Sequence, residues 1–590
     1  MHRLKIIASF FVIVLGLFLL FKLYNNIAEK PATGRYLMEN GNSFSVAYPF
    51  NIPNQPVGSY HLSFDILFSP FSISSYKISA DDCLESISIN GEIIADTSIP
   101  YCDFQNIRSF DLSPYLSVGR NHFTITARNT GGNVMVQFAP ANADLHMAIF
   151  IIFLLTLIWI TIRIITTHYI PSVDFSLSII LGLGTALRIL YTLATPFTVR
   201  AHDAMDHIDY IRYVAFYLHI PPASGGWEYH QAPLYYILAG LYYRFVASLG
   251  ISEYTLLLHL RMISLLLNCG CLFIGCYLSF ILFPSDKHKW ERYLFTAFIA
   301  VFPATVFFSS RLSNDALYQL GSFMICAILL LWWKKPTSTY WYILAAGVAI
   351  TYLTKLSALV FIPIIFICLL VQASVPIRQK ILRSIIFASI VILIAGWLPI
   401  MRLYLEQDTT RTRTLGNEGM NSNLSLPTNI SGMATFNPLE IVRHPFNDPW
   451  ENTERRQYFP EYYYRSAFFG EFHFDNMRKL SQILLGISFF LIPLAIVGFM
   501  YECKKNKFST LPLHLIFFTV IASSVSYRIH FPYAPNQDFR FVTILIIPVG
   551  FYIIKGINAL PKQFQFIANA IFCIFLLLCS VFIWNIFYQS

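Results

Sequence analysis

The stretch RAHDAMDHIDYIRYV (200–214) sets Asp203, Asp206 and Asp209 beside His202 and His207, directly after the apolar run FSLSIILGLGTALRILYTLA. Ionisable groups at the foot of a membrane helix are costly, so such a cluster marks a functional site by default. Carboxylates and imidazoles are the side chains best suited to moving protons near neutral pH. Asp203 stands four residues before His207, and on a helix the two share a face. Asp203 is therefore the expected general base and Asp206 the second candidate. The competing role for Asp203 is a helix N-cap. Asp209 and His202 read as ordinary interfacial groups.

Other charges interrupt apolar runs further along. Arg311 and Asp315 lie in SSRLSNDAL, Lys355 in TYLTKLSAL, and Asp538 with Arg540 in NQDFRF. A lysine placed like Lys355 either snorkels to headgroups or makes a point-charge contact to a phosphate. Arg311 and Arg540 are further phosphate candidates, with an internal Arg540–Asp538 ion pair as the alternative. Asp315 follows Asn314 and is either a helix cap or a site residue. Asp203, Asp206, Glu228 and His207 have the oxygen and nitrogen donors a divalent ion takes. No spacing among them is as specific as His-Glu-x-x-His, so no metal or other cofactor is assigned.

Elements that hold such groups must cross a membrane. Of 590 residues 56% are hydrophobic and only 12% charged, against about a quarter charged in soluble proteins. The net charge of +9 sits in short loops and forms no basic domain, which excludes a nucleic-acid partner. The first apolar run follows Arg3 and Lys5 and reads as a retained anchor with a cytoplasmic N-terminus. Placing 232–250 along the outer interface puts every later basic loop inside, including SDKHKWER (285–292), RQKILR (378–383) and KKNK (504–507). The expectation is a polytopic α-helical membrane protein of about 13 transmembrane helices. Its interrupting charges, and the outer loops 196–255 and 404–480, then gather at the outer face.

Residues 26–143 differ. SYHLSFDILF and NHFTITARN alternate as half-buried strands do, and Asn90-Gly91 in SINGEII is a two-residue hairpin signal. An extracytoplasmic β-sandwich of about one hundred residues fits, with Cys83 and Cys102 flanking the hairpin as a candidate disulfide. The other eight cysteines lie in or beside apolar segments. The expected division is an anchor at 1–25, the β-domain at 26–143, a second membrane helix and inner turn at 144–173, and a membrane catalytic domain at 174–590.

Three features resemble the GT-C superfamily of polyprenyl-phosphate-sugar glycosyltransferases, closest to protein O-mannosyltransferases and the lipid A aminoarabinose transferase. They are HDAMDHIDYIRYV after an outward-going helix, GWEYHQAPLYYIL (225–238) followed by LRMISLLL, and YYYRSAFFGEF (462–472) in the long late loop. Ala232 stands where the family more often has a first proline, and the common Asp-Glu pair is absent. The β-domain run FDLSPYLSVGRNHFTITARNTGGNVMVQF resembles galactose-binding-like jelly rolls of carbohydrate-binding modules; its role is either glycan docking or a structural cap.

The resemblance implies transfer of a sugar from a polyprenyl-phosphate donor to a hydroxyl of a glycan, lipid or protein acceptor, with inversion. It implies that Lys355, Arg311 and Arg540 hold the donor phosphate. His207 would orient the base or touch that phosphate, and Glu228, His230, Gln231 and Glu471 would line the sugar and acceptor pocket. It favours a bacterial inner membrane with the site facing the periplasm. A transporter or flippase of lipid-linked glycans is the rival class. It would place charges near the bilayer midplane on repeated halves, and no internal repeat is seen. A polymerase or ligase of such glycans would share the outward site.

Overall fold

The computed structural model describes residues 33–140, with breaks at 39–42, 48–49, 69–74, 97–98, 103–107 and 118, and residues 174–589, with breaks at 198, 250–252, 407–421 and 506–507. The expected anchor at 1–25 and the second membrane helix at 146–166 lie outside the described residues. The β-domain belongs to one compact unit, and Val173–Ser248 with His259–Phe587 make a second, helical one.

The β-domain is a two-sheet sandwich. β1 (Thr33–Met38), β2 (Ser43–Ala47), β4 (Gly58–Phe68), β6 (Cys83–Ile89), β7 (Glu92–Ile93) and β9 (Gly119–Asn129) form one sheet in the order β2-β1-β4-β9-β6-β7. β3 (Phe50–Gln55), β5 (Ser75–Ala80), β8 (Arg108–Asp111) and β10 (Gly132–Pro140) form the other, in the order β3-β10-β5-β8. The two alternating runs pair antiparallel along their length, with Phe64 opposite Phe123. Alternation then sends Tyr60, Leu62, Phe64 and Ile66 to one face. Phe64 stacks on Phe123 and meets Phe138 of the other sheet edge to face, which closes the core. Asn90 and Gly91 both have positive φ, 54° and 88°, as a primed hairpin turn between β6 and β7 requires. Cys83 and Cys102 are joined by a disulfide.

The helical unit supplies seven helices long and apolar enough to cross a membrane among the described residues, and up to nine if each of two bent pairs is one span. The bent pairs are Asp286–Val301 with Pro303–Ser310 and Ile377–Ala395 with Trp397–Leu403. Ser338–Thr354 and the shorter apolar Leu356–Val371 are separated only by Lys355. Leu234–Ser248 has 15 residues, less than the roughly 20 a crossing needs.

Polar pins hold these helices together. Arg188, fully buried, donates to Asn268 Oδ1 at 2.6 Å and to the carbonyls of Ala300 at 2.7 Å and Gly184 at 2.9 Å. Its donors are thus satisfied where no water would reach them. Leu491–Lys505 and Ile546–Ala559 meet backbone to backbone. A Cβ at Gly498 would collide with the Tyr552 carbonyl, and one at Gly556 with that of Leu494.

Candidate functional site

A cavity of about 720 Å³ opens where the interrupted helices end. Its wall carries Asp203 and His207 from the first segment, Glu228, His230 and Gln231 from the second, then Asp315, Lys355, Glu471 and Arg540. Eight residues of the expected site therefore meet: Asp203, His207, Glu228, His230, Gln231, Lys355, Glu471 and Arg540. Two do not line the cavity. Asp206 sits on the first turn of the helix Ala204–Tyr217 and is not among the residues of the cavity wall. Arg311 is buried behind the wall, 4.0 Å from Asp315 and over the rings of Phe308 and Phe472.

Asp203 occupies the N-cap position of Ala204–Tyr217, yet its side chain makes no cap bond and its backbone is left-handed at φ 52°. A non-glycine residue held there stores strain of order 1–3 kcal/mol, which clusters at functional sites. The turn releases the carboxylate into the cavity instead of onto the helix end. Burial pushes its pKa above the usual carboxylate range, with Arg540 opposing and Asp315 reinforcing. His207, one turn on, is 2.7 Å from the Tyr236 hydroxyl and 3.8 Å from Glu228 Oε2. Burial pushes His207 down to about 3, so it is neutral.

Glu228, expected in the sugar and acceptor pocket, is only 5% exposed. The chain is folded over it, because the Arg402 guanidinium holds the carbonyls of Pro221 at 2.9 Å, Tyr229 at 2.7 Å and Gln231 at 3.0 Å. Burial and the nearby Asp203 charge raise Glu228 to about 8. Gln231 Oε1 accepts from Asn314 Nδ2 at 3.3 Å, and the same amide reaches the Thr354 carbonyl at 2.9 Å. That bridge joins the second polar segment to the Lys355 break.

Lys355 caps the end of Ser338–Thr354 in an extended conformation. Its ammonium forms a buried ion pair with Asp315 and lies 4.9 Å from the centre of the Phe541 ring. It does not snorkel to headgroups, and Asp315 is its partner, not a free helix cap. Arg540 Nε is 3.8 Å from Asp538 Oδ2, so Arg540 both pairs internally and faces the cavity.

His202 is the residue whose place the sequence reading missed. Its Nδ1 lies 3.2 Å from Glu471 Oε2 and its Nε2 3.3 Å from Asp538 Oδ2. The ring also lies over Phe472, with centroids 5.1 Å apart. Burial, ahead of the Arg540 charge, lowers His202 to about 3, while burial and Asp538 raise Glu471 to about 8. Glu471 also accepts from the Tyr462 hydroxyl. Among the described residues His202, Glu471 and Asp538 are the group whose donor atoms, all within 4.8 Å of one another, could hold a metal ion. The set Asp203, Asp206, Glu228 and His207 is not gathered in that way. Each nitrogen of His202 already faces a carboxylate, so an ion would have to displace one of those contacts.

Two solved structures are similar to this chain in part. The Archaeoglobus fulgidus oligosaccharyltransferase, solved with Zn and sulfate, is 12% identical over 68% of this chain and 52% of its own, with a TM-score of 0.33. The arabinosyltransferase EmbB of Mycobacterium smegmatis is 12% identical over 94% of this chain and 53% of its own, with a TM-score of 0.35. The chain thus spans about half the length of each. No curated protein matches it. Residues 220–530 match the family described as "Predicted membrane protein (DUF2142)", and since that is more than half of its length, the chain belongs to this family.

Proposed function

We propose that the protein is a membrane glycosyltransferase that moves a sugar from a polyprenyl-phosphate donor to an acceptor hydroxyl at the outer face of the membrane. One observation carries the reading: a single cavity in the helical unit is lined by the carboxylate of Asp203 together with the cations Lys355 and Arg540. In such a transfer the acceptor oxygen attacks the anomeric carbon and Asp203 takes its proton. The bond from that carbon to the phosphate oxygen breaks, and the polyprenyl phosphate leaves with its electron pair and charge. Lys355 and Arg540 balance that charge where it develops. One in-line displacement inverts the anomeric centre. A retaining double displacement would need a carboxylate nucleophile, whereas burial disposes Glu228 to be neutral at pH 7. His207, neutral and fixed by Tyr236, positions the first turn that carries Asp203.

The test uses purified protein in nanodiscs with a panel of polyprenyl-phosphate sugars and membrane-glycan acceptors. Mass spectrometry scores glycosylated acceptor and freed polyprenyl phosphate. Product from wild type and none from Asp203→Asn is the expected result. A fully active Asp203→Asn would remove the assigned base, and binding of donor without any turnover of the panel would favour a flippase.

A further inference from the structure

The cavity wall holds two tryptophans that the transfer chemistry does not use, Trp227 and Trp450. Their backbones are fixed. The Trp227 carbonyl is 2.8 Å from His230 Nδ1, and the Trp450 amide donates to Asp448 Oδ1 at 2.7 Å. Their rings are not buried: the residues are 42% and 54% exposed. The other described tryptophans are occupied. Trp290, Trp333, Trp341 and Trp397 donate their indole N–H, while Trp332 packs on Trp341 and Trp584 on Phe587. Among the described residues, Trp227 and Trp450 alone show neither an indole hydrogen bond nor a partner ring. They come from segments far apart in the chain, yet both reach the same polar cavity.

From this we infer that Trp227 and Trp450 form a stacking platform for a saccharide, so that the acceptor is itself a glycan. The inference rests on the glycosyltransferase reading above and names its acceptor class. A sugar ring presents one face of C–H bonds, apolar and slightly positive, edged by hydroxyls. An indole presents a broad, electron-rich face that attracts such C–H groups. Beside the two rings, Glu228, His230, Gln231 and Asn536 offer donors and acceptors for the hydroxyl edge. A few placed polar groups beside an aromatic surface is how small-molecule sites fix orientation.

The experiment reads binding apart from turnover. Full-length protein in detergent is applied to a microarray of bacterial and mammalian glycans, as wild type, Trp227→Ala, Trp450→Ala and Trp227→Phe. Wild type is expected to bind a defined set of glycans, the two alanine variants to bind them at least tenfold more weakly, and Trp227→Phe to keep most of the signal. Both rings are exposed, so the variants should keep wild-type melting curves. Alanine variants that bind like wild type would overturn the platform. So would a wild type that binds no glycan while the transfer assay works on a non-saccharide acceptor, an outcome that leaves the enzyme reading standing. Loss of binding to phosphatidylglycerol vesicles, without loss on the glycan array, would instead make the rings interfacial anchors and overturn the inference. Glycan binding by an enzyme inert in the donor panel would support the platform while counting against the transfer reading.

Discussion

His202 Nε2 lies 3.3 Å from Asp538 Oδ2, which joins the first polar segment of the helical unit to the 3-10 turn that opens its penultimate membrane span. Through Nδ1 the same ring reaches Glu471. Three segments that are remote in sequence thus converge on one imidazole, and the back wall of the cavity depends on it.

The first prediction concerns pH and rate. Burial raises Asp203 above the usual carboxylate range, and a base works only when deprotonated. The kcat/KM profile should therefore rise with pH along a limb displaced above that of an ordinary aspartate, about 3.9. Asp203→Asn should lower the rate by roughly 10²–10⁴-fold, the usual contribution of one general base. A stopped assay from pH 4 to 9 measures both.

The Lys355–Asp315 pair separates folding from function. Lys355→Met leaves a buried carboxylate short of its main partner and should cost about 3 kcal/mol, seen as a lower melting temperature. Lys355→Met with Asp315→Leu removes both charges and should recover much of the stability, since a buried pair often gives way to apolar residues without loss. Donor binding should stay impaired in the double variant. Recovery of donor binding along with stability would show that the lysine serves the fold alone.

Stability should depend on pH in a defined window. Glu471 and Glu228 are both raised to about 8, so each stabilises the fold below its ordinary value and loses that contribution as pH rises through the folded value. His202 is lowered from 6.5 to about 3, so its effect has the opposite sign and ends above 6.5. The carboxyl effect should then show cleanly between about pH 6.5 and 8 as a falling melting temperature. Glu471→Gln with Glu228→Gln should flatten that fall, and a fall that persists unchanged would mean other groups cause it.

In the β-domain, reduction of Cys83–Cys102, or the paired change to serine, should destabilise by roughly 3 kcal/mol in the chain-entropy account of a loop this short. Thermal unfolding of the full chain with and without reductant, followed by circular dichroism in the β region, gives the measurement.

What could be read in advance was mostly local. The alternation in SYHLSFDILF and NHFTITARN, and the Asn90-Gly91 pair, lie within a few residues of the structure they specify, and β4, β9 and the β6–β7 turn follow from them. Asp203 and Lys355 were legible because charge beside apolar runs is conspicuous. His202 was not, because its meaning depends on Glu471 and Asp538, which no spacing connects to it. The burial of Glu228 was not legible for a related reason: it comes with the contacts of Arg402, far along the chain. That Asp206 stands outside the cavity wall while Asp203 lines it was not legible, since the two are only three residues apart. Trp227 and Trp450 carry a signal only once their lack of partners is seen.

The Arg402 tether has one more consequence. Its acceptors are backbone carbonyls, which do not titrate. The loop that carries Glu228, His230 and Gln231 is thus fastened through its main chain and not through the side chains that face the cavity. The polar lining of the chamber can therefore vary from residue to residue without releasing the loop that carries it.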